Sequence, residues 1–235
     1  MRLGATLTHL ADAPPYPVAQ WAARLAAAGF ESLWTPHIVG RGPLVPDPFV
    51  TLAVAATAIE GVELGTATVQ VPLFHPAELA HRILSLIAVC GDRLTLGVSP
   101  GSTATDYATL DRDFATRFAT LHGNVTTLRG LLGDPPAFLL GSWGANVERA
   151  ARDYDGWLAS GFRRTPAEIV AALERFRAAG GGRAIVCAVP VNGRADLGPT
   201  RDVLRRYADA GFDDAVVVIG PGGPEPEEVR ALFPG

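Results

Sequence analysis

The sequence predicts an α/β fold, a single (β/α)8 barrel spanning residues 1–235, and three observations predict it. Short apolar runs alternate with helix-periodic segments eight times along the chain. One hand-over, from a helix through Ala-Gly into a buried strand, recurs along it. The length of 235 residues is what such a barrel occupies as one domain, roughly 200–250. Eight alternating units favour a closed barrel over an open doubly wound sheet.

Taken in order, Leu3–Thr8 is the first strand. Val18–Ala28 has helical spacing and stops at Gly29, a residue suited to the left-handed turn that ends a helix. Ser32–Thr35 is strand two. Pro48–Glu60 is an apolar helix, and a strand near Val62 runs into Gly65-Thr66-Ala67-Thr68-Val69-Gln70. After the His75-Pro76 turn, Ala77–Val89 is helical; strand four begins near Leu94 and stops at Gly97. A hydroxyl-rich loop, Gly97–Tyr107, leads to a long helix over Asp111–Leu132. Strands near Ala137, Gly156, Ala184 and Ala215 complete the set, with helices over Asn146–Asp153, Pro166–Ala179 and Thr200–Ala210. The hand-over Gly29-Phe30-Glu31 returns as Gly211-Phe212-Asp213, with a looser copy at Ala178–Gly182.

Composition narrows the function classes. A net charge of −4 gives no electrostatic reason to expect nucleic acid or an anionic membrane as partner. The longest apolar runs fall short of the roughly 20 residues of a membrane span. No signal peptide is visible, so the cytoplasm is the expected location. All 20 Lys+Arg residues are Arg, and they are scattered, which reads as coding bias rather than a phosphate-binding design. Cys90 and Cys187 lie in apolar runs and read as buried free thiols. His9, His37, His75, His81 and His122 lack metal-ligand spacing; His75 reads as a helix-start residue, His81 and His122 as surface or packing residues.

Chemistry is expected at the strand ends. His37 ends strand two, where an imidazole either donates and accepts protons or simply bonds to backbone. The small residues of strand three admit a flat ring close to the backbone, or else mark a bulge or packing taper. The turn Gly141-Ser142-Trp143-Gly144-Ala145 before a helix reads as a phosphate site or as a plain strand-to-helix turn. Ser160-Gly161 adds a second small turn beside it.

Several of these pieces together resemble one family. Asp47–Leu52, Val62–Ala67, His75-Pro76, Arg93–Val98 with Gly101, Asp106-Tyr107, Gly141–Gly144, Ala150-Ala151-Arg152 and Asp155-Gly156-Trp157 closely match the bacterial luciferase-like superfamily of flavin- or deazaflavin (F420)-dependent oxidoreductases. The resemblance implies a TIM barrel holding FMN or F420 at its C-terminal mouth, beside Gly101. It implies a bulged third strand with a non-prolyl cis peptide at Ala67–Thr68 behind the ring. It implies a phosphate site at Gly141–Ala145 helped by Ser160 and Gly161, and His37 near the reacting carbon. Two departures stand out. Pro36 occupies the place before His37 where F420-dependent members usually carry an acid, and Leu131–Pro136 replaces a long insertion that covers the pocket.

The expected function is hydride transfer between the bound ring and a small organic substrate, with O2 as a conceivable co-substrate. The alternatives are flavin binding without turnover and a non-redox barrel enzyme acting on a phosphorylated substrate. The apolar helices Pro48–Glu60 and Ala77–Val89 are candidates for pairing two copies of the chain.

Overall fold

The computed structural model describes residues 1–7, 17–40, 42 and 44–233. Thr8, expected at the end of the first strand, and His9 lie outside the described residues. The strands are β1 (Arg2–Thr6), β2 (Ser32–Thr35), β3 (Glu63–Gln70), β4 (Leu94–Ser99), β5 (Phe138–Gly141), β6 (Gly156–Ser160), β7 (Arg183–Val191) and β8 (Asp214–Ile219). Each pairs in parallel with its sequence neighbours, and β8 pairs with β1 to close the barrel. Around it lie α1 (Val18–Ala27), α2 (Pro48–Ala58), α3 (Pro76–Cys90), α4 (Ala104–Thr109), α5 (Arg117–Leu132), α6 (Asn146–Asp153), α7 (Pro166–Ala178), α8 (Leu197–Ala210) and α9 (Pro226–Arg230).

Local chemistry sets the helix ends. Asp47 accepts from the N–H of Phe49 at 2.8 Å and of Val50 at 3.2 Å, ahead of Pro48 at the first position of α2. His75 Nδ1 accepts from Ala77 N–H at 3.3 Å ahead of Pro76, which makes it the helix-start residue of α3. Thr165 and Glu168 form a reciprocal capping box on α7. The repeated hand-over is a left-handed glycine: φ is 91° at Gly29 and 94° at Gly211, a region other residues enter at a cost.

Two boundaries differ from expectation. β4 does not stop at Gly97, because Val98 still pairs with Leu140 and Ser99 with Gln70. The helix expected over Asp111–Leu132 begins late. Asp111 has φ of 50° and Asp113 Oδ1 accepts from Ala115 N–H at 2.8 Å, so a turn intervenes and α5 starts at Arg117. The loop read before it ends in a short helix, α4, and α9 has no counterpart in the sequence reading.

Alternate strand residues face opposite ways. One set packs under the helices as the main core, including Leu3, Leu33, Leu64 and Leu96. The other fills the barrel: Trp34, Leu139, Leu158, Ile185, Cys187 and Val216. Trp34 explains one small residue of β3, since a Cβ on Gly65 would enter its indole ring. Gly65 is therefore small for packing. Beyond it the β3–β4 register slips between Thr66 and Val69, a bulge.

The N-terminal end of the barrel is closed by charge. Arg183 reaches both Glu63 oxygens at 2.8 and 2.9 Å and Asp214 at 2.9 Å. Arg2 reaches Glu63 at 2.7 Å and Asp214 at 2.6 Å, and Thr95 donates to Glu63 at 2.6 Å. Burial pushes the Glu63 carboxyl up, but the hydrogen bonds from Arg183 and Thr95 and the charges of Arg183 and Arg2 outweigh it and hold the group below its ordinary value.

Candidate active site

At the C-terminal ends of the strands lies a cavity of about 680 Å³. Of the residues expected to form the site, the structure brings His37, Ala67, Thr68, Gly101, Gly141, Ser142, Trp143 and Ser160 to its wall. Gly144, Ala145 and Gly161 do not line it. Gly144 and Ala145 stand where α6 begins, and the Gly161 N–H is taken by the Cys187 carbonyl at 2.8 Å.

His37 follows β2 and is 7% exposed. Its N–H donates to the Thr68 carbonyl at 3.2 Å, its own carbonyl accepts from Gln70 Nε2 at 3.0 Å, and its ring leans on Phe74 with centroids 5.1 Å apart. Nδ1 is buried and meets no partner among the described residues. Burial lowers the imidazole pKa; the charges of Asp47 and Asp106 push it back up and that of Arg82 pushes it down, with a net lowering. His37 is therefore neutral at pH 7, with one proton and one lone pair to offer.

The floor is the bulge of β3. The peptide bond between Ala67 and Thr68 is cis. Thr68 Oγ1 donates to Ser99 Oγ at 2.7 Å, which in turn accepts from Gly101 N–H at 3.3 Å. Gly141 backs onto this floor: a Cβ there would lie 2.6 Å from Thr68 Cγ2.

The turn after β5 is held from below by Trp157, whose Nε1 donates to the Ser142 carbonyl at 3.1 Å. None of the hydrogen bonds among the described residues uses the N–H of Trp143, Gly144 or Ala145. Ala145, the cap residue of α6, is among the donors that a helix start leaves open; the other two belong to the turn before it. Arg164 stacks over Trp143, 4.8 Å from its centroid.

Sequence reasoning missed the charge of this cavity. Arg117, Arg163 and Arg164 reach its wall, and no carboxylate does among the described residues. Arg117 is clamped over the rings of Phe114 and Phe118, at 3.9 and 4.7 Å, and forms no ion pair among the described residues. The scattered arginines converge in space. Arg163-Arg164, two residues past the second small turn, was the signal that could have shown it. Gln70 and Cys187 were also missed as wall residues. Cys187 is the buried free thiol expected, and burial pushes it up to about 12. Cys90 is free and buried as well. His122 packs against Tyr154, with Nδ1 2.7 Å from the phenol oxygen.

A cavity at the C-terminal mouth of a closed eight-stranded barrel, floored by a bulged third strand, is the arrangement that the resemblance implied. Residues 2–217 match the family model described as luciferase-like monooxygenase. The chain belongs to that family. Within it, the chain is 35% identical over 129 residues to a 4-hydroxyprotoasukamycin monooxygenase of Streptomyces nodosus subsp. asukaensis, across 54% of this chain and 34% of that protein. The chain thus spans about a third or less of the length of the curated relatives it matches. Two solved structures share the fold. The coenzyme F420-dependent tetrahydromethanopterin reductase of Methanopyrus kandleri superposes with a TM-score of 0.74 at 15% identity, covering 98% of this chain and 96% of that one. The oxygenating constituent of 3,6-diketocamphane monooxygenase of Pseudomonas putida, in complex with FMN, gives 0.70 at 14%, covering 91% and 80%. Among the described residues, no helix is long and apolar enough to cross a membrane.

Proposed function

We propose that this chain is an oxidoreductase that binds FMN or F420 in the C-terminal cavity and transfers a hydride between the ring and a small organic substrate. The observation that carries the reading is the charge of the wall: three arginines and no carboxylate among the described residues, in a protein whose net charge is −4. The guanidinium groups of Arg117 and Arg163, which form no ion pair among the described residues, stand with Arg164 beside unused backbone N–H donors and suit a phosphorylated ligand. A cavity of about 680 Å³ lies within the range of cofactor sites, roughly 300–1,000 Å³.

The residues divide the work. The turn after β5, through its wall residues Gly141, Ser142 and Trp143, holds the phosphate with Arg163 and Arg164. The Ala67–Thr68 floor offers small side chains to the flat ring, and Gly141 stays small so that Thr68 keeps its place. Either ring supplies reversible hydride transfer when bound. Neutral His37 delivers a proton to the substrate oxygen or removes one as the hydride moves. The whole of residues 1–235 acts as one catalytic domain.

Titration of the purified chain with FMN and with F420, followed by reduction of the bound ring with NAD(P)H or by candidate alcohols, tests the reading. Saturable binding of one cofactor and its turnover are expected, and oxygen consumption after reduction marks a monooxygenase. Binding without any redox turnover overturns the enzyme and leaves a flavin-binding protein. Failure to bind either cofactor overturns the redox reading altogether.

A further inference from the structure

We propose that Gln70 is a positioning residue for His37, locked by the buried carboxylate of Asp106, so that the segment after β4 and the proton-handling group of the oxidoreductase reading above are held as one unit. Gln70 is the last residue of β3 and is 3% exposed; Asp106, on α4, is fully buried. Gln70 Nε2 donates to the His37 carbonyl at 3.0 Å and to Asp106 Oδ2 at 2.7 Å. One nitrogen with two N–H groups meets two acceptors, which a glutamine can do and a glutamate, leucine or methionine cannot.

The carboxylate chooses the face. Asp106 Oδ2 accepts from the amide nitrogen, which turns Oε1 away from it. Oε1 is buried without a partner and lies against Gly101, where any Cβ would collide with it. The amide is thus trapped in one orientation, and that orientation aims its second N–H at His37. β3 holds His37 twice, since Thr68 takes its N–H as Gln70 takes its carbonyl. Phe74 then supports the ring. Without the Gln70 donors, the His37 carbonyl loses its partner and the segment after β2 keeps only the Thr68 bond on this side. The charged groups that act on the imidazole are Asp47, Asp106 and Arg82.

The test is nuclear magnetic resonance of the ligand-free full chain with labelled histidine, the His37 signal being the one that His37→Asn removes. Gln70→Met keeps the length and removes both donors. Asp106→Asn keeps a carbonyl acceptor for Gln70 and removes the charge. With Gln70→Met the His37 signal should broaden or split, and the rate of ring reduction should fall at least roughly tenfold, a barrier change of about 1.4 kcal/mol. With Asp106→Asn the signal should stay single and sharp, and its titration midpoint should move to lower pH, because the lost charge had raised it. A wild-type His37 signal in Gln70→Met, or equal broadening in both variants, overturns the proposal. Should Gln70→Met not fold, Asp106→Ala must broaden the signal instead, and a sharp one overturns it. These spectra need neither cofactor, so failure to bind FMN or F420 defeats the redox reading without deciding this one.

Discussion

Gly141 tests the site most directly, because two effects of a side chain there can be separated. Its absent Cβ would lie 2.6 Å from Thr68 Cγ2, 3.5 Å from the Val98 carbonyl and 3.7 Å from Ser99 Cβ. Thr68 cannot simply rotate away, since its hydroxyl is bonded to Ser99 at 2.7 Å. Gly141→Ala should therefore cost about 1–3 kcal/mol in stability, the usual range for overpacking, and weaken cofactor binding by disturbing the floor. Gly141→Asn and Gly141→Asp add nearly the same volume, but only the second adds a charge. Two like unit charges about 5 Å apart repel by roughly 3 kcal/mol at an effective dielectric of about 20. That is about a hundredfold in Kd between the two variants. Fluorescence titration with FMN and F420, at low and at moderate salt, measures it, and the gap should narrow as salt screens the pair. If folded Asn and Asp variants bind within about threefold of each other, the anion is not at this turn, and the phosphate assignment fails.

Arg183→Met should lower stability by about 1.5–3 kcal/mol, the worth of its charged hydrogen bonds, since Arg2 still faces Glu63 and Asp214; that is roughly 5 °C in Tm for a chain of this size, and a shift under about 2 °C by calorimetry would defeat it. The Glu63 carboxyl is held low in the folded protein, so its contribution is present above the ordinary carboxylate range and lost as pH falls through the folded value. Wild-type Tm should therefore drop on acidification more steeply than that of Arg183→Met. His37→Ala should bind cofactor within about threefold of wild type and lose turnover by about 10²–10⁴-fold, the range of general acid–base catalysis. Because burial lowers the imidazole pKa, the acid limb of the rate profile should lie below about 6.5 and vanish in that variant. We propose the exposed Val50 and Val54 of α2 and Leu84 of α3, on helices that pack side by side, as the surface for pairing two copies of the chain; sedimentation of wild type against Val50→Arg with Leu84→Asp tests it, a lower mass for the variant being expected and an equal mass removing that face from any interface.

Most of the barrel was legible because parallel strands buried on both faces read as short apolar runs, and each helix end carries its own chemistry in Gly, Pro or Asp. The exceptions share a cause. Asp111 and Asp113 break a helical pattern through side-chain and left-handed turns that periodicity does not register. At the site, residues at strand ends were legible from position, and Ala67–Thr68 from resemblance. The arginines were not, because Arg117 begins α5, Arg163 lies in the loop after β6, and they meet only when the barrel closes. Gln70 was hidden for another reason: a polar side chain in a buried strand announces itself only through partners, and both of them, His37 and Asp106, are distant in sequence.

The two ends of the barrel treat charge in opposite ways, and that contrast bears on function. At the N-terminal end Arg2 and Arg183 are matched by Glu63 and Asp214, with short bonds on both sides. At the C-terminal end Arg117 and Arg163 have no carboxylate among the described residues, and Arg164 reaches Glu168 only at 3.6 Å. Arg117 is half-buried and Arg163 exposed, and cations that no carboxylate neutralises make this mouth attractive to an anion. Stability and binding should consequently respond to different residues: Arg183→Met should move Tm and leave cofactor Kd alone, whereas Arg163→Met should weaken binding and leave Tm level or higher. Combined, the two should add within about 0.5 kcal/mol. A coupling well above that would mean that the matched end and the open end are not independent, and the division of labour proposed for this barrel would fall with it.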